Sequence, residues 1–288
     1  MSLKEDMLRA ARRACLGAAT AERVARFIRS QANPDGGFRG RSDASDLYYT
    51  VFGLMSLDAL GVAAATASLR KYLESFETGE SLDLVHLAAL ARCWSFLPAT
   101  AIGPQVRLSI ISNVQKFEAT DGGYGSVYGC FLALGAHQDL GADVGKPGDL
   151  VRCIRSLRCE DGGYANEAGL PIGLTPATAA AIVVLRELGQ AEDTAAAQWL
   201  LARMQGVGGF LAMPAAPVPD LLSTATALHA LHAAGIVLTG ETQAACRKFV
   251  EGLLTNRGGF CGDEADDDDD CEYTFYGLLA LGHLSGET

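Results

Sequence analysis

The sequence predicts an all-α protein, an (α/α)6 barrel of six helical hairpins with an extra N-terminal helix. Three observations predict it. A Gly-Gly-aromatic step occurs five times, at Gly36-Gly37-Phe38, Gly122-Gly123-Tyr124, Gly162-Gly163-Tyr164, Gly208-Gly209-Phe210 and Gly258-Gly259-Phe260. The successive glycine pairs lie 86, 40, 46 and 50 residues apart, so the first interval holds two units, one of which has lost its glycines. Each step is preceded by an amphipathic helical pattern and followed by one that is apolar nearly all round. Hairpins of this size cannot bury their own apolar face and must stack on neighbours. Six can close into a two-layer ring, and neither end supplies the polar capping repeat of an open solenoid.

In chain order, residues 4–16 form the additional helix, lying across the ring. The first hairpin pairs an outer helix at 20–32, with Arg23, Arg26 and Arg29 on its solvent face, with an inner helix at 45–60. The degenerate unit spans 64–98, where Glu77-Thr78-Gly79-Glu80 replaces the glycine step. Outer helices follow at 103–118, 147–158, 192–205 and 240–254, each with its inner partner at 126–139, 175–189, 221–235 and 271–285. The inner set is Ala-rich, as in Ala225-Thr226-Ala227-Leu228, which suits close packing at the centre. Each glycine pair allows the positive φ that reverses the chain between outer and inner helix, and the aromatic after it is expected to pack on the neighbouring hairpin. Strand signals are nearly absent. The expected division is an N-terminal helix over 1–19 and a single barrel domain over 20–288.

Composition agrees: 288 residues, 49% of them hydrophobic, provide ample core for one domain. The net charge of −11 argues against nucleic acid or an anionic membrane as partner. No apolar run reaches the roughly 18 residues of a membrane span, and no signal-peptide block opens the chain. Eight cysteines are scattered without a Cys-x-x-Cys, the usage of a cytoplasmic protein with thiols as small core residues.

One unit reads Arg29-Ser30-Gln31, then Asp35-Gly36-Gly37-Phe38, then Asp46-Leu47-Tyr48-Tyr49-Thr50-Val51-Phe52-Gly53-Leu54. This pattern resembles the repeat shared by protein prenyltransferase β subunits and by squalene and other terpenoid cyclases, and the resemblance covers about residues 20–285. It implies an α–α toroid with an isoprenoid or other apolar small molecule in the central cavity. Parallel inner helices gather their N-termini, with free N–H groups and partial positive charge, at one mouth. A diphosphate there with its tail down an apolar bore would match both ends.

The resemblance to zinc-dependent prenyltransferases implies an Asp-x-Cys at one inner-helix start and a His at the next. The matching positions here are Asp220-Leu221-Leu222 and Asp270-Cys271-Glu272-Tyr273-Thr274, so Leu222 and Tyr273 replace the Cys and the His. Zinc is therefore not expected; a rebuilt site from Cys261, Cys271 and Asp220 is the only route to it. The family's cations after the glycine steps are missing from Tyr164-Ala165-Asn166-Glu167-Ala168 and from Phe210-Leu211-Ala212-Met213-Pro214, which leaves Arg39, Arg41 and Arg257. Class II cyclases protonate an alkene with Asp-x-Asp-Asp before the inner-helix Thr; here Asp270, Glu272 and Tyr273 hold those positions. The Asp266–Asp270 run is read as a solvated loop or a loose magnesium site.

The candidate site is thus the mouth. Asp220, Asp270, Glu272 and Tyr273 are the catalytic candidates; Arg41, Asp46, Tyr48, Tyr49 and His229 are the ligand-binding ones. N-capping accounts equally for Asp46, Ser126, Thr175, Asp220, Ser223 and Asp270, and His229 and His232, two turns down their helix, are core or cavity-wall residues. The function expected first is a prenyl-diphosphate-using transferase with an altered, zinc-free site and a partner subunit on the outer helices. The alternatives are a non-catalytic lipid- or partner-binding toroid and a single-barrel cyclase, against which stands the second barrel-like domain that cyclases usually carry.

Overall fold

The computed structural model describes residues 2–120 and 122–285. Six helices form the inner layer of a ring: α3 (Leu47–Ala59), α5 (Leu84–Trp94), α7 (Val127–Asp139), α9 (Thr175–Glu187), α11 (Leu221–Ala233) and α13 (Cys271–His283). Each packs on the next, and α13 packs back on α3, so the ring is closed. The outer layer is α2 (Ala18–Ser30), α4 (Thr66–Glu74), α6 (Pro104–Gln115), α8 (Pro147–Ser156), α10 (Thr194–Leu201) and α12 (Gly240–Gly252). Outer helices bury one stripe, such as Val24, Phe27 and Ile28 of α2, and expose their charges; on α6 Leu108 is also exposed. Inner helices are buried on most sides because each touches two inner neighbours and one or two outer helices.

α1 (Leu3–Ala11) lies under the C-terminal ends of the inner helices and touches α3, α7, α9 and α13. It is shorter than the predicted 4–16, because Arg12 is pinned to Asp58 at the end of α3 and the chain turns there to reach α2. Its backbone comes so close to α13 that a Cβ on Gly282 would sit 1.9 Å from the Ala10 carbonyl oxygen.

Four of the five glycine steps share one hydrogen-bonded device. The backbone N–H of the aromatic donates to a buried Thr on the following inner helix: Phe38 to Thr50, Tyr164 to Thr178 and Phe210 to Thr224 at 2.9 Å, and Phe260 to Thr274 at 3.2 Å. In three units that Thr hydroxyl also donates to the helix's N-cap carbonyl, Asp46, Asp220 or Asp270. The aromatic is therefore held on its own hairpin, as Phe38 on Gly53 of α3 and Phe260 on Gly277 of α13, and Tyr164 also reaches the neighbour as expected, its hydroxyl donating to Asp193 at the start of α10 at 2.8 Å. Gly36, at φ 104°, has no room for a side chain beside the Ser68 carbonyl at the base of α4. The same backbone pairing produces two short antiparallel hairpins that the hydrophobic pattern does not signal, β1 (Phe38–Arg39) with β2 (Ser45–Asp46) and β3 (Phe210–Leu211) with β4 (Pro219–Asp220). In the degenerate unit Glu77 and Gly79 take the positive φ.

Candidate functional site

The bore holds a cavity of about 350 Å³, within the size range of small-molecule sites. First-turn residues of the inner helices ring its mouth: Tyr48, Val85, Tyr128, Pro176, Leu222 and Glu272. About two turns further down stand Met55, Arg92, Ala136 and His229, and Met7 of α1 forms the floor. The walls between are aliphatic and aromatic.

One acid stands in this wall. Tyr48 Oη donates to Glu272 Oε1 at 2.5 Å. Burial pushes the Glu272 carboxyl up to about 7, the hydrogen bond from Tyr48 pulls it back, and the nearby charge of Asp270 adds to the rise. Around it the rings of Tyr48 and Phe52 lie 5.0 Å apart, and those of Phe52 and Tyr276 5.5 Å apart. Tyr48, Phe52, Tyr276 and Glu272 all line the cavity, so its upper wall combines a protonatable carboxyl with π faces.

The other predicted residues stand at the rim. Asp46 accepts from the N–H groups of Tyr48 (2.7 Å) and Tyr49 (3.3 Å) as the cap of α3, and Tyr49 lays its ring over Gly40. Asp220 caps α11 through Ser223 N–H at 2.7 Å, and Asp270 caps α13 through Tyr273 N–H at 2.9 Å. Burial raises both carboxyls above the usual carboxylate range. Arg41 donates to Asp266 (2.6 Å) and Asp270 (3.5 Å), and its guanidinium lies 5.9 Å from the centre of the Tyr273 ring. None of these rim residues lines the cavity, whereas Tyr48, Glu272 and His229 do. Thr175 and Ser223, expected as caps, are not: Thr175 is the first residue of α9 and donates its hydroxyl to Leu211 O, and Ser223 lies in the first turn of α11.

The aspartate run is not simply solvated. Asp269 and Asp270 are buried, the first against Arg257 and the Thr255 hydroxyl, the second against Arg41. Arg39 pairs with Asp43 at 3.5 Å, so all three arginines of the mouth loops already face a carboxylate. Among the described residues no three His, Cys, Asp or Glu side chains stand together as a metal site. Leu222 and Tyr273 contribute no sulfur or imidazole at the helix starts.

Sequence reading passed over Arg92, Tyr128 and Tyr276, which all line the cavity. Arg92 donates from Nε to Asp139 Oδ2 at 2.7 Å, and both side chains are buried. Gly135 on α7 makes the space, since a Cβ there would lie 2.9 Å from Arg92 Nη2. Its signal was available: it is the one Lys or Arg in the apolar helix over 84–94, where core packing has no use for a charge. At the floor His229 Nδ1 lies 3.0 Å from His283 Nε2, with His232, Asp6 and Arg186 beside them.

The profile of the prenyltransferase α–α toroid domain matches residues 6–210 and 177–286. The chain belongs to this family. Among solved structures, the toroid is similar to the type II terpene cyclase MstE from Scytonema, with a TM-score of 0.65 and 13% identity over 93% of this chain and 97% of that one. A variant of MstE in complex with its substrate, geranylgeranyl dihydroxybenzoate, matches at a TM-score of 0.61 and 13% identity over 98% of both chains. The geranylgeranyltransferase-I of Candida albicans, complexed with GGPP, matches at 0.53 and 15% identity over 97% of this toroid and 83% of that chain. Among curated proteins none matches by sequence. The toroid covers 97% of the MstE chain, so that type II terpene cyclase carries no second barrel of the kind expected of cyclases. No described helix is long and apolar enough to cross a membrane.

Proposed function

We propose that this toroid binds an isoprenoid polyene in its bore and cyclises it, with Glu272 as the acid that starts the reaction. The observation that carries the reading is a single one: a carboxyl that keeps its proton near neutral pH, hydrogen-bonded by Tyr48 and set among aromatic rings in an apolar cavity. In the first step the Glu272 O–H bond breaks and the alkene π pair takes the proton as a new C–H bond. The carboxylate left behind keeps the Tyr48 hydrogen bond, and the adjacent carbon carries the positive charge. The faces of Tyr48, Phe52 and Tyr276 stabilise that cation until the next alkene attacks it and closes a ring. Loss of a proton from the final cation balances the reaction, so product and substrate are isomers. Seven buried cysteine thiols fit a reducing cytoplasm.

The transferase suggested by the repeat uses the same bore and would recruit Arg41 for a diphosphate, with a partner subunit on outer faces such as that of α6. The pairing of Arg41 with Asp266 and Asp270 favours the cyclase. The test is incubation with farnesol, geranylgeraniol and their diphosphates, with products separated by gas chromatography and mass. Cyclic isomers are expected, formed at least a hundredfold more slowly by Glu272→Gln, which retains binding. Prenylated acceptors, or cyclic products unaffected by E272Q, would overturn the reading; binding without turnover would leave a lipid carrier.

A further inference from the structure

At the end of the bore away from Glu272, Arg92 is buried to nine-tenths, lines the cavity and spends only its Nε on Asp139. Among the described residues no acceptor meets either of its Nη groups. A buried guanidinium with donors left over is costly unless something in the cavity accepts them. Asp139, itself buried, already neutralises the charge. Burial also holds His229, the other titratable group of that end, uncharged by lowering it to about 4, and the groups around it, Asp6, Arg186, His232 and His283, lie below the bore. The lower cavity thus offers strong hydrogen-bond donors without net positive charge.

We propose that Arg92 is the anchor for the oxygen of an uncharged oxygenated isoprenoid, an aldehyde, ketone, epoxide or alcohol, and that it sets which end of the chain reaches Glu272. The ligand lies with its oxygen against the Arg92 Nη groups and its hydrocarbon along the wall, so the alkene far from the oxygen meets the acid. A diphosphate fits poorly there, because its charge would enter an apolar bore whose guanidinium, Arg92, is already paired with Asp139. The inference rests on the bore being an isoprenoid site, and not on the chemistry at Glu272.

Calorimetric titration of the whole protein with farnesal, farnesol, farnesene and farnesyl diphosphate tests it by binding alone. Arg92→Met would leave Asp139 as a lone buried charge, so the main variant is the neutral pair R92M/D139N, with its fold checked by circular dichroism. The double variant is expected to bind farnesal at least tenfold more weakly than the wild type and farnesene equally well. A second variant, Gly135→Ala, crowds Nη2 while keeping the ion pair, and is expected to weaken farnesal more than farnesene. Equal changes for farnesal and farnesene, no change for either, or tighter binding of the diphosphate than of farnesol would overturn the anchor. If farnesal binds through Arg92 and no cyclic product forms, the anchor stands and the reading of Glu272 falls. If none of the four binds, both fall.

Discussion

Glu272 and His229 sit at opposite ends of one cavity, and burial moves them in opposite directions toward the same uncharged state. Glu272 keeps its proton up to about pH 7 when folded but loses it near 4.5 when unfolded, so between those values the unfolded chain binds fewer protons. Stability therefore falls as pH rises through that window, by on the order of 3 kcal/mol. His229 behaves oppositely: from about 6.5 down to about 4 the unfolded chain gains a proton that the folded one refuses, and stability falls as pH falls. Urea denaturation at closely spaced pH values should show both slopes. E272Q should flatten the first and His229→Gln the second; an unchanged first slope in E272Q would place that carboxyl in water. The same titration makes turnover fall as pH rises through about 7. At this scale the sequence was half legible. Tyr48 and Glu272 were found because each sits two residues past a cap, and the capping by Asp46, Asp220 and Asp270 was legible from their place at helix starts, but nothing local told that these caps would stand outside the cavity. Arg92 went unnoticed because its unit lacks the glycine step that drew attention to the others.

At the scale of the element, the threonine after four of the five steps ties the step to the start of its inner helix. Thr224 is fully buried and joins Phe210 N–H to the Asp220 carbonyl. Thr224→Val keeps the shape and leaves a buried N–H without an acceptor, an expected loss of roughly 1–3 kcal/mol. Thr224→Ser should recover most of it. Equal stability of all three proteins in thermal unfolding would show the bond to be dispensable. The helices themselves were readable from hydrophobic period alone, since every outer and inner helix lies within or close to its predicted span. The short strands were not, because two residues carry no period and the pairing comes from backbone groups that the glycine turns bring face to face.

At the scale of the molecule, α1 determines whether the bore is a pocket or an open pipe. Gly282→Ala should push α1 away from α13, because the nearest obstacle is the Ala10 backbone carbonyl, which cannot rotate aside. The expected cost is about 1–3 kcal/mol, with faster ligand release measured by stopped flow. Unchanged stability and release would show that α1 yields without loss. The ring's seam has a different consequence. α13 closes on α3 and packs on α1, and Cys15 N–H meets the Ser285 hydroxyl beside it, so α1 and α3 complete their packing only when α13 joins them. During synthesis the first five hairpins emerge with an unsealed side, exposing the apolar faces of α3 and α11 until residue 283 clears the ribosome. An open repeat array can stabilise itself unit by unit as it is made; a closed ring cannot seal until its last helix meets its first, and the faces left open until then are where misassociation would begin.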